Sequence, residues 1–368
     1  MEPTKTRLYS LDVFRGLTIA AMIIVNTPGD ETNAFAPLKH SEWNGCTPTD
    51  IIFPAFIYMV GISIVFAQFS KRADLTLHGN IISRAFRRMM MLILVGWGIQ
   101  LVYHFNLATL RYPGVLPRIG VVYFITTLLY LKLPVKYLWI LIAGLLTLYL
   151  GLVVFIPVNG SYEITPTHNI PAYIDHLLIP SQHLAKFAYT DPCGLLGTIP
   201  SVATALTGIT TGLILKSHLT LPTKLKRVLF TGLILVIAGL ALNPLFPINK
   251  PLWSSSYVLF TSGICMVCFA TCYWLIDIQQ LKGWYQPFTV LGVNAISAYV
   301  LSEILPAVLN LISVGRDKKV TGLHIINDLV FAKILSPSWA SLFSSLFFLL
   351  LVWLAMYWLY KKKVYIKI

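Results

Sequence analysis

The chain has 368 residues, 57% of them hydrophobic and 11% charged, with 28 Lys and Arg against 14 Asp and Glu and a formal net charge of +14. A charged share less than half of the roughly 25% of a soluble domain, with a mean hydropathy of +0.74, excludes both a water-soluble globule and a disordered chain and points to an all-α polytopic membrane protein. The excess of positive charge is no nucleic-acid signature, because the basic residues sit in short clusters between apolar runs, where they orient a chain in a membrane.

Apolar runs of about 17 to 25 residues, long enough to cross a bilayer as helices, predict about ten spans. They cover residues 11–27, 50–70, 84–103, 114–131, 135–157, 195–215, 225–246, 252–275, 287–313 and 339–361. Lys5 and Arg7 before the first run imitate a signal peptide, but Asp12 and Arg15 interrupt the run and no small-residue cleavage site follows, so it reads as a retained span. Ten spans put both termini on one side. Eighteen Lys and Arg fall on that side and eight on the other, which sets both termini in the cytoplasm. The loop after the ninth span, with Arg316, Lys318, Lys319 and Lys333, runs against this rule. The outer loops 28–49 and 158–194 are long, polar and rich in Pro, Gly, Asn and His, the kind of loop that carries function. No internal repeat stands out, and residues 1–368 read as a single transmembrane domain.

Ionisable groups inside spans are costly, so each is a functional candidate. Asp12 and Arg15, three apart, share one helical face. Either they pair and lock the first helix to its neighbours, or Arg15 faces an anionic ligand entering from the cytoplasm. Asn26 ends the first span, and His40, Trp43, Asn44, Gly45 and Asp50 follow, with Pro54 in the first turn of the second span. An imidazole can pass a proton or act as a nucleophile under ordinary conditions, which makes His40 a candidate. Asp50, ten residues on, orients its ring if the loop folds back; the bland alternatives are an N-cap role for Asp50 and a solvated surface role for His40.

Other polar groups recur at the same outer level. Arg118 enters span four after Pro113 and Gly114, and Asp191 precedes Gly194 and Gly197 before span six. Asn249, Lys250, Trp253 and Ser254 open span eight, while Asn294 and Glu303 fall in span nine. Such a set lines a cavity, in an enzyme or a transporter alike. Cys265, Cys268 and Cys272 share roughly one helical face and read as packing rather than a metal site. Cys46 and Cys193 lie in two loops on the same side, where a bridge can form.

Five stretches carry a resemblance: Arg7–Gly16 (RLYSLDVFRG), Lys39–Gly61 (KHSEWNGCTPTDIIFPAFIYMVG), Pro113–Phe124 (PGVLPRIGVVYF), Asp191–Thr198 (DPCGLLGT) and Pro247–Tyr257 (PINKPLWSSSY). Together, in this order and over nearly the whole chain, they resemble the heparan-α-glucosaminide N-acetyltransferase family and its bacterial relatives. The resemblance implies a multi-span enzyme that takes an acetyl group from cytoplasmic acetyl-CoA and delivers it to an amino sugar across the membrane. It implies that His40, the histidine of K-H-x-x-W-N-G, is catalytic, that Asn26 contributes to the site, and that Asp50 is the aspartate of T-x-x-D-x-x-F-P. The lysosomal members carry an extra N-terminal luminal domain and span without counterpart here, so the expected acceptor is a glucosamine-type amino sugar other than heparan sulfate.

Both lines of reading meet in one expectation. His40, Asn26 and Asp50 form the catalytic set; Arg15, Arg118, Lys250, Trp253 and Ser254 hold acetyl-CoA, a co-substrate, and no metal takes part. The expected setting is a bacterial inner membrane, with membrane lipid around the chain and no nucleic-acid partner; a homodimer is compatible with this reading. A sugar or peptidoglycan-fragment permease would share the spans and the polar cavity without a reason for a CoA site. An O-acyltransferase acting on envelope glycans would keep the site and change donor and acceptor.

Overall fold

The computed structural model describes residues 8–158, 160–185, 188–281, 283–311 and 326–366. Lys5, Arg7, Lys186, Lys282, Arg316, Lys318, Lys319 and Lys367, used above for orientation, lie outside them, as does the predicted end of span nine. Twelve helices are defined in chain order among the described residues. They are α1 (Tyr9–Asn26), α2 (Ile52–Gln68), α3 (His78–His104), α4 (Val115–Lys132), α5 (Leu138–Val154), α6 (Ile170–Leu178), α7 (Thr198–Lys216), α8 (Leu221–Leu242), α9 (Ser255–Tyr273), α10 (Gln286–Val293), α11 (Ala295–Leu311) and α12 (Pro337–Lys361). Among the described residues, nine helical stretches are long and apolar enough to cross a membrane, or ten when α10 and α11 count as one broken span. The protein is an all-α integral membrane protein.

Two departures from the predicted spans have local causes. Span nine breaks between α10 and α11, which meet at 83°. The residue at the break is Asn294, wholly buried, whose amide donates to the Val364 carbonyl at 3.1 Å and accepts from the Ile366 N–H at 3.1 Å. A side chain that bonds to backbone elsewhere competes with the helical ladder. The second departure is α6, inside the loop predicted to be irregular. Asn169 caps it by accepting from the Ala172 N–H at 2.8 Å, and a proline sits in its first turn.

The chain forms two compact units. The first comprises Met1–His40, Thr47–Ile52 and Thr271–Ile368; the second comprises Ser41–Cys46 and Phe53–Ala270. In the first, α1 packs on α10 through glycines. A Cβ on Gly16 would stand 1.8 Å from the Phe288 carbonyl oxygen, and one on Gly292 1.8 Å from that of Asp12. Small residues are what let membrane helices approach so closely. α12 joins them through serines: Ser341 exchanges hydrogen bonds with the Asp30 backbone at 2.8 and 3.1 Å, and Ser345 donates to the Thr27 carbonyl at 3.0 Å.

In the second unit α7 is the central helix, buried along most of its length. It crosses α2 at Gly61 and Gly208, each with no room for a Cβ, and beside the crossing the Tyr58 hydroxyl donates to Thr211 at 2.8 Å. Its threonines, including Thr204, Thr207 and Thr211, bond to carbonyls of their own helix, which satisfies polar groups inside an apolar bundle. α6 contributes Asp175, 1% exposed, whose Oδ1 accepts the Leu195 N–H at 2.8 Å while Oδ2 is buried without a hydrogen-bond partner. Burial, with the Asp191 charge adding to it, pushes its pKa up to about 6 against the bonding effect of Leu195 and the pull of Arg118. No disulfide joins Cys46 and Cys193.

Three substitutions test this packing by thermal unfolding of the detergent-solubilised protein. Gly292→Ala, which drives a methyl into backbone, should lose about 1–3 kcal/mol. Gly144→Ala on α5, with nothing within 4 Å of the new Cβ, should be neutral or gain up to about 1 kcal/mol. Because the folded-state pKa of Asp175 lies above its unfolded value of 3.8, its contribution is intact below about pH 4 and is lost as pH rises through about 6. The melting temperature of Asp175→Asn should therefore gain on that of the parent protein over this interval; parallel curves would contradict the assignment.

Candidate active site

The segment between α1 and α2 is built around one carboxylate. Residues Pro48–Ile51 form a single 3-10 turn leading into α2, with Thr47 before it and Asp50 at its third position. Asp50 is therefore not the N-cap itself. Its Oδ2 accepts the Thr47 backbone N–H at 3.0 Å, and its Oδ1 lies 2.7 Å from Nδ1 of His40. The Asp50 side chain is fully buried, whereas that of His40 is 54% exposed. The loop does fold back: the Thr47 hydroxyl donates to the Lys39 carbonyl at 2.7 Å, and the Thr49 hydroxyl to that of Pro37 at 3.0 Å. These bonds fix the backbone on both sides of the histidine.

A carboxylate only accepts, so Nδ1 of His40 carries the hydrogen and the lone pair falls on Nε2. A half-exposed imidazole held in that tautomer by a buried aspartate can take a proton, or attack a carbonyl carbon, at Nε2. Asn26, the last residue of α1, points its amide at Glu303 of α11, with Nδ2 3.3 Å from Oε1. Upstream in the same unit, Arg15 pairs with Asp12 at 3.3 Å, the expected i,i+3 contact, and also donates to the Gly292 carbonyl at 3.3 Å.

Arg118, Lys250, Trp253 and Ser254 belong to the second unit, whereas Arg15 belongs to the first. Arg118, at the start of α4 and 4% exposed, donates to the carbonyls of Pro192 at 2.9 Å and Gly194 at 2.6 Å. Its guanidinium stands 5.3 Å from the centre of the Trp253 ring, within cation–π range. Trp253 is completely buried, with φ of +56°, and its indole N–H donates to Thr204 at 3.2 Å. The Lys250 carbonyl accepts the Trp253 N–H at 2.9 Å, and Ser254 donates to the Pro247 carbonyl at 2.7 Å. The strained tryptophan is thus bonded before, after and through its ring, and the 249–254 segment is a rigid turn preceding α9.

This turn, the residue before it and the 158–194 loop hold the rest of the histidine motif. Asn249 donates to the Asn44 side chain at 3.1 Å, the Gly45 N–H donates to the Ile248 carbonyl at 2.7 Å, and Trp43 donates to the Ile164 carbonyl at 3.3 Å. Gly45 has φ of +111°, a conformation that favours glycine. Sequence reasoning missed Arg111, which grips Asp191 through both guanidinium edges, one of them at 2.9 Å. It also missed Asp175 beneath Gly194. The pairing of Arg111 with Asp191 spans 80 residues, beyond any periodic signal, and Asp175 lies in a stretch whose sequence reads as irregular loop.

Comparison with known proteins adds an independent line. The family model described as the heparan-alpha-glucosaminide N-acetyltransferase catalytic region matches residues 7–239. Heparan-alpha-glucosaminide N-acetyltransferase of Mus musculus is 31% identical over 360 residues, covering 81% of this chain and 54% of that protein. The Homo sapiens protein of the same name is 31% identical over 357 residues, covering 81% and 53%. The chain spans about half the length of the curated relatives it matches. With a family model over well over half of its residues and two relatives 31% identical over 81% of its length, the chain belongs to the heparan-α-glucosaminide N-acetyltransferase catalytic family.

Proposed function

We propose that the protein is a transmembrane N-acetyltransferase that moves an acetyl group from cytoplasmic acetyl-CoA to a glucosamine-type amino sugar on the outer side of a bacterial inner membrane, residues 1–368 acting as one domain. The observation that carries this reading is the His40–Asp50 pair at 2.7 Å, an oriented imidazole on a buried carboxylate in a family of acetyltransferases. Acyl transfer needs an oriented base or nucleophile of this kind. The excess of Lys and Arg on the terminal side supports cytoplasmic termini and an outward-facing His40.

Two routes use the same groups. In the direct route, Nε2 of His40 takes the proton from the acceptor amine as its nitrogen attacks the thioester carbonyl; the C–N bond forms, the C–S bond breaks, and the proton passes to the departing thiolate. In the stepwise route, Nε2 itself attacks, the C–S bond breaks and CoA leaves as thiolate; the amine then attacks the acetyl carbon, the bond to Nε2 breaks, and the amine proton passes through Nε2 to the thiolate or to water. In either route Asp50 holds Nδ1–H and steadies the positive charge that develops on the ring. Asn26 donates an N–H to the oxyanion formed from the thioester carbonyl. Arg15, Arg118, Lys250, Trp253 and Ser254 are the proposed acetyl-CoA set. Arg118 and Ser254 donate to carbonyls and frame Trp253, and Arg15, paired with Asp12, offers positive charge toward the cytoplasmic end of α1.

The test is acetyl transfer from acetyl-CoA to glucosamine by the purified full chain, following amide formation. His40→Ala should cost at least about a hundredfold in kcat. Asp50→Asn, which can turn a donor toward Nδ1, should lower kcat while leaving the KM for acetyl-CoA within about twofold. Transfer undiminished in His40→Ala would overturn the assignment. Acetyl-His40 trapped with acetyl-CoA alone would select the stepwise route.

A further inference from the structure

Glu303 is a carboxylate within the broken ninth span, a place where an ionisable group is costly and calls for a purpose. The reaction described above does not use it. Its bond with Asn26 joins α11 to the last residue of α1 across 277 positions of sequence.

Several independent restraints set this meeting. α1 and α10 are fixed to each other at Gly16 and Gly292, where neither side has room to slide past a Cβ. The 83° elbow at Asn294 then redirects the chain into α11, and both ends of the Asn294 amide are occupied by backbone, so the elbow is a defined corner rather than a loose joint. On the α1 side, Thr27 follows Asn26 and is held by its hydroxyl on the Ile23 carbonyl at 2.7 Å and by Ser345 on its own carbonyl. The backbones carrying both side chains are thus located before the side chains meet.

The chemistry of the bond gives it direction. An asparagine amide has an oxygen end and a nitrogen end that fill nearly the same volume, and an oxyanion is stabilised only by the nitrogen end. The Asn26 amide turns Nδ2 toward Oε1 of Glu303, an accepting oxygen; one N–H is used in the bond and the second is left to point elsewhere. We infer that Glu303 is a positioning residue for Asn26, fixing the amide so that its second N–H is presented to the oxyanion of acetyl transfer. This rests on the reading of Asn26 given above. Glu303 itself touches no reacting atom.

A double-mutant cycle tests the inference in the full chain, using acetyl-CoA and glucosamine. Glu303→Ala should lower kcat by about tenfold to a hundredfold, less than or equal to the loss in Asn26→Ala, with the KM for acetyl-CoA within about twofold. Glu303→Gln keeps an acceptor oxygen and the same shape, and should recover at least tenfold over the alanine variant. In the Asn26→Ala background, Glu303→Ala should cost no more than about twofold. Multiplying losses, a wild-type rate in Glu303→Ala, or a Gln variant as slow as the Ala variant would each overturn the positioning role. The same cycle read on melting temperatures reports the bond irrespective of activity: no coupling there overturns it as well. His40→Ala separates the two questions. Undiminished transfer in that variant defeats the proposed function, while a wild-type rate in Asn26→Ala with an inactive His40→Ala defeats only the oxyanion role and the positioning that depends on it.

Discussion

A carboxyl group withdrawn completely from water must find hydrogen-bond partners in the protein. Asp50 is such a group, and the conformation of the segment between α1 and α2 follows from it. The Thr47 N–H and His40 Nδ1 supply the donors. To bring them there the chain has to double back, which the Thr47 and Thr49 hydroxyls secure on the carbonyls of Lys39 and Pro37. Exposure of the histidine and burial of the aspartate are therefore two sides of one arrangement: the aspartate demands a partner, and the partner's other nitrogen is left facing outward to react.

The same demand recurs wherever a polar group enters the apolar bundle. Arg118 donates to two carbonyls and faces an aromatic ring, Asp191 accepts from Arg111 and the N–H groups of Ala185 and Cys193, and Ser341 and Ser345 of α12 donate to backbone oxygens of the segment after α1. In water these groups would be indifferent to their neighbours. In hydrocarbon each becomes a fixed point, so the polar residues specify which helices meet, while the glycines specify how closely.

That division explains what could be read in advance. Span two was expected at 50–70 and the helical stretch is Pro48–Lys71; span four was expected at 114–131 and the helix is Val115–Lys132. Apolar length is a local property, and so are the Asp12–Arg15 spacing and the reach from His40 to Asp50. The elbow at Asn294 was invisible because it depends on backbone seventy residues downstream. The Asn26–Glu303 and Arg111–Asp191 bonds were hidden because helical periodicity relates residues three or four apart, not 277 or 80. Trp253 and Arg118 were singled out by sequence, but their stacking, and the left-handed backbone that makes it, arise from packing against Thr204 and Phe53.

Asn294 has one more consequence, for how the protein is handled. A buried amide inside a span relies on Val364 and Ile366, so the stretch that emerges beyond α12 is a clasp on the ninth span and not a spare end. Shaving the chain back before Val364, or forcing a rigid fusion onto that stretch, would leave both ends of the amide without partners, at about 1–3 kcal/mol for each group, and would slacken a corner that lies far along the chain from the cut. An affinity handle placed after a flexible spacer would leave the clasp closed.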